Sequence, residues 1–356
     1  MGDSFPKTKA AAVQAAPVFL DREATLDKAV ALIAEAGRHG AELIVFPEVF
    51  LPGYPYWNRI ELVLKTTGYF VELLKNAVTV PGPVTEQLGE AARRAGAHVV
   101  MGVNERPDNT LGTLYNTNLV FGPDGEILLR HRKLMPTAVE KLVWGVGDGG
   151  SLRVLDTPIG RLGTLICGEN ANPLARFALI AQGEQIHTAN FPALPGGDAG
   201  GYDLGEDIRL RGANHAFEGK VFNVVASSVI DERVIARVAD TTEKRRLMSG
   251  PQMSFTGIFA PGGRLCSETV PPGEEGIVYA ECDIEAIIGP KLRHDVAGHY
   301  NRSDVLSLHL NRAPYRPLFE HGEPAARPVP QHEAPAATEP DASPQESATR
   351  KARSAS

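Results

Sequence analysis

Cys167 closes a short, mostly apolar run, Leu162 to Ile166, and is followed by Gly168, Glu169 and Asn170 before Asn172-Pro173 opens a helix-like segment. A run of that kind reads as a buried strand. A cysteine at its end, beside a glycine and just ahead of a helix, is held in a tight turn with its side chain presented. Backbone N–H groups past such a turn point where an oxyanion can form. The thiolate is the strongest nucleophile a side chain offers. The same pattern also suits a buried core cysteine, since free cysteine is among the most buried residue types. Glu48 and Lys133 likewise stand at the ends of apolar runs. A carboxylate there could work as a general base and an ammonium could hold developing negative charge. Taken singly, each has an ordinary reading as a solvated strand end or a solvated charge.

The elements that must position these three follow from periodicity. Lys9 to Pro17 reads as a first strand, and Asp21 to Gly40 as a helix with an apolar stripe of Leu26, Val30, Ile33 and Ala36. Glu42 to Phe46 is a second strand running into Pro47-Glu48, and the turn-rich Leu51-Pro-Gly-Tyr-Pro-Tyr-Trp57 follows, either a pocket loop or a surface turn. Residues 59 to 77 and Thr85 to Gly96 read as helices, and His98 to Val103 as a strand. Tyr115 to Phe121 and Glu126 to Arg130 form a hairpin across Gly122-Pro-Asp-Gly125. Two irregular connections, 130–140 and 144–150, precede the pair Leu152 to Thr157 and Arg161 to Cys167. Helices over 174–182 and 205–219 alternate with strands over 185–190 and 221–228, and Met253 to Ala260 and Gly276 to Cys282 are late strands. Strands alternating with helices, plus hairpins, indicate a mixed α/β layer protein with helices outside.

Bulk composition bounds the partners. The chain has 356 residues, is 43% hydrophobic and carries a formal charge of −7 without a long basic run. That supports a sizeable core and disfavours nucleic acid or an anionic membrane as partner. Three cysteines, Cys167, Cys266 and Cys282, contain no CxxC pair, against a disulfide scaffold or structural zinc. The start Met-Gly-Asp-Ser-Phe-Pro lacks the parts of a signal peptide, and Pro6 breaks the myristoylation pattern, so a reducing cytoplasm is the expected compartment. No G-x-G-x-x-G follows the first strand, and no phosphate-binding loop or HExxH is present, so neither a nucleotide cofactor nor a catalytic metal is expected. From about Glu323 the composition turns to Pro, Ala, Glu, Ser and Gln, and 323–356 is expected to be a disordered tail.

With their flanks, Phe46-Pro-Glu48, His131-Arg-Lys133 and Ile166-Cys-Gly-Glu169, the three reactive residues closely resemble the nitrilase superfamily, whose members carry Glu, Lys and Cys in this chain order. Agreement with the nitrilase branch extends to Pro52-Gly-Tyr-Pro55 with Trp57, Lys133-Leu-Met-Pro-Thr137, Leu142-Val-Trp-Gly145, Gln182-Gly-Glu-Gln-Ile-His187 and Gly298-His-Tyr300. The resemblance covers about residues 8 to 312, taken as one carbon-nitrogen hydrolase domain. It implies a four-layer α-β-β-α sandwich, pairing of subunits through helices, and growth into spiral filaments. It also implies that a small nitrile is converted with water into a carboxylic acid and ammonia. Cys167 would be nucleophile, Glu48 general base, Lys133 the stabiliser of the anionic nitrogen and oxyanion, and Glu140 a second glutamate positioning Lys133 and water. Gly168 would lend a backbone N–H, and Glu169 and Asn170 would hold the turn. Tyr54, Trp57 and Trp144 are expected in the pocket wall. His187 matches a family position and is either a substrate contact or a structural histidine. Many nitrilases have tryptophan where this chain has Gly168, which suggests room for arylaliphatic or other bulky nitriles. An amidase, an amide-forming hydratase and a non-catalytic assembly protein remain the alternatives.

Overall fold

The computed structural model describes residues 2–196 and 201–315; the tail expected over 323–356 lies outside the described residues. The first half runs β1 (Lys7–Gln14), α1 (Arg22–Arg38), β2 (Leu43–Val45), α2 (Thr67–Asn76), α3 (Pro83–Ala95), β3 (His98–Glu105), β4 (Tyr115–Phe121) and β5 (Ile127–Arg132). The second runs β6 (Leu155–Thr157), β7 (Gly160–Ile166), α4 (Pro173–Ile180), β8 (Ile186–Phe191), β9 (Leu194–Pro195), α5 (Leu204–Gly219) and β10 (Phe222–Ser227). It ends in α6 (Glu232–Val238), α7 (Thr242–Met248), β11 (Gln252–Met253), β12 (Gly257–Phe259), β13 (Gly276–Asp283) and α8 (Ile288–Arg293).

Among the described residues the strands make a six-stranded sheet, β13-β1-β2-β3-β4-β5, a five-stranded sheet, β12-β10-β8-β7-β6, and the small ribbon β11-β9. Each large sheet has a parallel centre, β1, β2 and β3 in one and β7, β8 and β10 in the other, with antiparallel neighbours outside.

Side-chain alternation along these strands explains the layers. Ala10, Ala12, Leu43, Val45 and Val100 point toward Leu162, Ile186, Val224 and Ala226 and form a dry seam between the sheets. Their chain neighbours Ala11, Val13, Ile44, Val99 and Met101 point the other way, onto Leu26, Ile33 and Leu88 of α1 and α3. On the far side, Leu165 meets Ala178 and Leu179 of α4, while Val225 and Phe259 meet Ile208 and Ala216 of α5. The result is the four-layer α-β-β-α sandwich. Among the described residues no helix is long and apolar enough to cross a membrane.

Two expected elements differ. Helix is expected across 59–77 but forms only from Thr67. The backbone at Leu62 is extended (φ −67°, ψ 135°), and Glu61 is turned aside to accept from the Leu62 N–H and to pair with Lys244 of α7. The expected strand Met253 to Ala260 divides between two sheets. Thr256 Oγ1 accepts from the Ser227 N–H and Ser227 Oγ donates to Phe255 O, so side chains replace ladder bonds there. The short helices α6 and α7 were not foreseen, although Asp231 and Thr241 cap them by accepting from the N–H groups of Val234 and Lys244.

Candidate active site

The carboxyl ends of the parallel strands in both sheets lie on one side of the molecule, because a parallel bridge between Ala15 and Ser228 joins the ends of β1 and β10. That is where open α/β sheets collect ligands. Three strands end there with a reactive side chain. Past β2 the chain turns through Pro47-Glu48-Val49, and Val49 takes φ +42°. This turn presses on β3 so closely that a Cβ at Gly102 would overlap Pro47 O. Past β5, the Lys133 N–H continues the ladder to Asn116 O at 2.8 Å. Past β7, Cys167 itself adopts φ +48°, a left-handed conformation unusual for a residue with a side chain.

These ends bring Glu48, Lys133, Glu140 and Cys167 together. Lys133 Nζ donates to Glu48 Oε1 and to Glu140 Oε2, each at 2.7 Å, and its side chain is fully buried. Oxygens of Glu48 and Glu140 and the Cys167 Sγ all lie within 4.8 Å of one another. Asn116 Nδ2 donates to Glu48 Oε1 at 2.6 Å, leaving Glu48 Oε2 buried without a protein partner. Glu140 is held by two further donors, Tyr54 OH at 2.9 Å and the Thr137 N–H at 2.7 Å. Arg59 Nη2 in turn donates to the Tyr54 oxygen at 3.3 Å.

Burial dominates the electrostatics. It pushes the Glu48 pKa up to about 7, with Glu140 adding to the rise and Lys133 and Asn116 opposing it. Burial and then Glu48 push the Cys167 thiol well above its usual range, against Lys133, so the resting group is a protonated thiol. Burial alone would lower Lys133, but Glu48, Cys167 and Glu140 outweigh it and keep the ammonium charged. The site therefore holds an SH group, a carboxyl poised near neutrality and a fixed positive charge.

The turn is held from behind. Glu169 Oε2 accepts from the Ile166 N–H at 2.7 Å and from His131 Nε2 at 3.0 Å, and its Oε1 accepts from the Leu134 N–H at 2.7 Å. Glu169 thus ties the Cys167 turn to the Lys133 strand end. Asn170 Nδ2 donates to Leu165 O at 3.1 Å and Cys167 O at 3.2 Å. A Cβ at Gly168 would stand 2.7 Å from Thr137 Oγ1, so glycine suits the close approach of these two loops.

Tyr54 and Trp144 meet edge to face at 5.8 Å, and Trp144 lies 5.9 Å from Lys133 Nζ. Trp57 is buried in the same apolar cluster, stacked on Tyr69 at 5.2 Å. His187 does not join the reactive group. Its Nε2 faces Asn170 Oδ1 and its Nδ1 faces Glu184 Oε1, behind the turn, which corrects the expectation of a substrate contact. Sequence reasoning missed Asn116, Thr137 and Arg59. Asn116 had a signal: Asn116 and Asn118 alternate in an apolar strand, and both are buried facing polar partners.

Two clusters carry metal-ligating residue types, Glu48–Glu140–Cys167 and Glu184–His187–His215. In the first, the Lys133 ammonium already occupies the cationic position between the carboxylates. In the second, Glu184 bonds each ring nitrogen at 2.7 Å, hydrogen-bond lengths that leave no space for an ion between donor and acceptor.

Residues 9–289 match the carbon-nitrogen hydrolase family. The chain is 43% identical over 324 residues to Nitrilase 3 of an unknown prokaryotic organism, covering 90% of this chain and 94% of that one. It is 39% identical over 312 residues to an aliphatic nitrilase of Rhodococcus rhodochrous, covering 87% and 84% respectively. In fold it is similar to Saccharomyces cerevisiae Nit3, a member of branch 10 of the nitrilase superfamily, with a TM-score of 0.65, 21% identity and coverage of 81% of this chain and 94% of that one.

Proposed function

This chain belongs to the carbon-nitrogen hydrolase family as a nitrilase, an enzyme of nitrile hydrolysis, and from that premise we propose that it works through a covalent bond to Cys167. The observation that carries the reading is the Lys133 ammonium bridging Glu48 and Glu140 beside a strand-end thiol within 4.8 Å of both carboxylates.

A nitrile carbon is a weak electrophile and needs sulfur as its partner. Glu48, with a pKa of about 7, is matched to take the proton from a thiol that burial keeps protonated. Sγ bonds the nitrile carbon, one C–N π bond opens, and the proton passes through Glu48 to nitrogen, giving a thioimidate. Lys133 stabilises the developing anionic nitrogen, assisted by the backbone N–H of Gly168. Glu140 holds Lys133, and Tyr54 holds Glu140. Water then adds with Glu48 as base, and the tetrahedral carbon expels ammonia. A second water hydrolyses the thioester to the acid and frees the thiol. If sulfur leaves before ammonia, the product is the amide, so both products share one intermediate.

Arylaliphatic or other bulky nitriles are kept as the proposed substrates on the family resemblance alone, since the space beyond Gly168 is taken by Thr137 Oγ1. Exposed Leu174 on α4 and Leu210 and Phe217 on α5, 62%, 67% and 56% exposed, support pairing of two copies through these helices.

The test is mass spectrometry of the intact protein during turnover of phenylacetonitrile, beside Cys167→Ala, with acid, amide and ammonia assayed on the same samples. The expected result is an adduct that needs Cys167, with acid and ammonia released together. An adduct with amide as the main product points instead to a hydratase. No adduct and no product across a panel of nitriles and amides overturns the reading.

A further inference from the structure

Behind the Cys167 turn lies a buried polar relay that the reaction outlined above does not use. Glu184, in the turn ahead of β8, accepts from two histidines: His187 Nδ1 on β8 and His215 Nε2 on α5, both at 2.7 Å. The two rings stack at 3.8 Å, and all three side chains are fully buried. His187 Nε2 faces Asn170 Oδ1 at 2.8 Å, and Asn170 Nδ2 reaches the carbonyl of Cys167.

Hydrogen-bond accounting assigns the protons. Asn170 points its amide nitrogen at two backbone carbonyls, Leu165 O and Cys167 O, which accept only. Its other end must therefore be the oxygen, since the flipped amide would set oxygen against two oxygens. An oxygen facing His187 Nε2 requires that nitrogen to carry a proton. On the other side of the ring, an ionised Glu184 accepts only, so Nδ1 must carry a proton as well. Burial works to raise the Glu184 pKa, but His187 and His215 outweigh it and hold it at about 2, which keeps the carboxylate ionised. The seat for this carboxylate is built into β7, where a Cβ on Gly163 would overlap Glu184 Oε1.

We propose that His187 is held as an imidazolium between the Glu184 carboxylate and the Asn170 amide, and that this relay positions Cys167 for attack. A full positive charge on His187 polarises the Asn170 amide and strengthens its grip on the Cys167 carbonyl, countering the tendency of a left-handed non-glycine residue to relax. The groups around His187 are Glu184 before β8, His215 on α5, Asn170 past β7, and, beyond His215, Arg176 of α4 paired with Glu218 of α5. Glu184, His187, His215 and Asn170 are positioning residues; none touches the reacting atoms.

The inference rests on Cys167 as nucleophile, and the test separates it from the choice of substrate. In Glu184→Gln a neutral amide replaces the anion, so nothing holds the second ring proton against base. As that proton is lost the Asn170 contact weakens. Alkylation of Cys167 by iodoacetamide, read by peptide mass so that exposed Cys266 does not contribute, is measured from pH 5 to 9 in both proteins. The variant-to-wild-type rate ratio is expected to fall as the pH rises, by about tenfold to a hundredfold at the basic end, the range seen when an outer partner of a working group is removed. Nitrile kcat should fall in parallel with KM unchanged. A ratio that does not vary with pH overturns the relay and indicates a structural role only. Should Glu184→Gln fail to fold, nitrogen-15 spectra of the histidines in the unaltered enzyme at pH 8, assigned with His187→Gln, decide the matter: two protonated ring nitrogens are expected, and a single-proton tautomer overturns the proposal. Absence of nitrile turnover with the alkylation pattern intact would sink the substrate reading and leave the relay standing.

Discussion

Glu140→Gln should move the acid limb of the pH–rate profile downward. The profile of kcat/KM falls on the acid side when Glu48, the proposed base, becomes protonated, so its limb in the unaltered enzyme is expected near the Glu48 value of about 7. Glu140 raises that value through repulsion between two carboxylates. Their oxygens lie within 4.8 Å, and at an effective dielectric of about 20 two unit charges at that separation interact by about 3.5 kcal/mol. At 1.36 kcal/mol per unit this is about 2.5 pKa units, reduced somewhat because Lys133 is shared between the two acids. Removing the Glu140 charge leaves Lys133 to stabilise ionised Glu48 alone, so the limb should drop by about two pH units. The maximal rate should fall as well. Tyr54 OH, Lys133 Nζ and the Thr137 N–H all donate to Glu140, and a glutamine has one accepting oxygen and an amide nitrogen that opposes a donor. A loss of about 10²-fold, similar to that of one stabilising donor, is expected. Asn116→Leu supplies the control of opposite sign. Its N–H favours ionised Glu48, so removing it should raise the limb. The assay is initial rate of ammonia release from pH 4.5 to 9 for all three proteins. A Glu140→Gln limb that stays in place, or limbs that shift the same way in both variants, would refute either the base assignment or the coupling.

Three further outcomes are expected. Stability should fall in two stages on acidification: burial and His187 hold His215 down at about 4 from 6.5, and Glu184 is held at about 2 from 4.5, so the unfolded chain binds more protons across both intervals. Each shift corresponds to about 3 kcal/mol within one shared network; urea midpoints at pH 7, 5 and 3.5 that do not decrease would contradict this. Gly168→Ala should lower kcat/KM for phenylacetonitrile by about tenfold, because its Cβ meets Thr137 Oγ1 at 2.7 Å, and the companion Thr137→Ala should restore part of it if that contact is the cause. Phe217→Glu should shift the protein to smaller species in size-exclusion chromatography; an unchanged elution volume would remove α5 from the pairing surface.

The legible and illegible parts of this molecule divide along a physical line. Periods of two and 3.6 along the chain fix local structure and the buried face, so β1, α1, α3, β3 and the β4–β5 hairpin could be read within a few residues. They carry no signal for which strand ends converge, and the joining of Glu48, Lys133 and Cys167 rested on the family resemblance. Short elements were lost for a related reason. The helices α6 and α7 have seven residues each, two turns, too few to show a period, and only their caps Asp231 and Thr241 advertised them.

His187 shows the remaining gap. Its neighbourhood Glu184-Gln-Ile-His187 looks like a polar strand start, and residue types favoured a structural ring without removing a substrate contact. What decides is a three-dimensional acceptor count. Glu184 serves two rings, Asn170 has its nitrogen committed to Leu165 O and Cys167 O, and Gly163 leaves the space that the carboxylate fills. Those partners come from β7, β8, α5 and the nucleophile turn. The nucleophile turn is thus fixed from two sides: by Glu169, which ties it to the Lys133 strand end, and by Asn170, which ties it to the histidine pair on β8 and α5. A strained residue keeps its conformation only when its surroundings over-determine it. Two independent side-chain anchors on a five-residue turn meet that requirement at Cys167, and loss of either one should be felt at the thiol before it is felt in the fold.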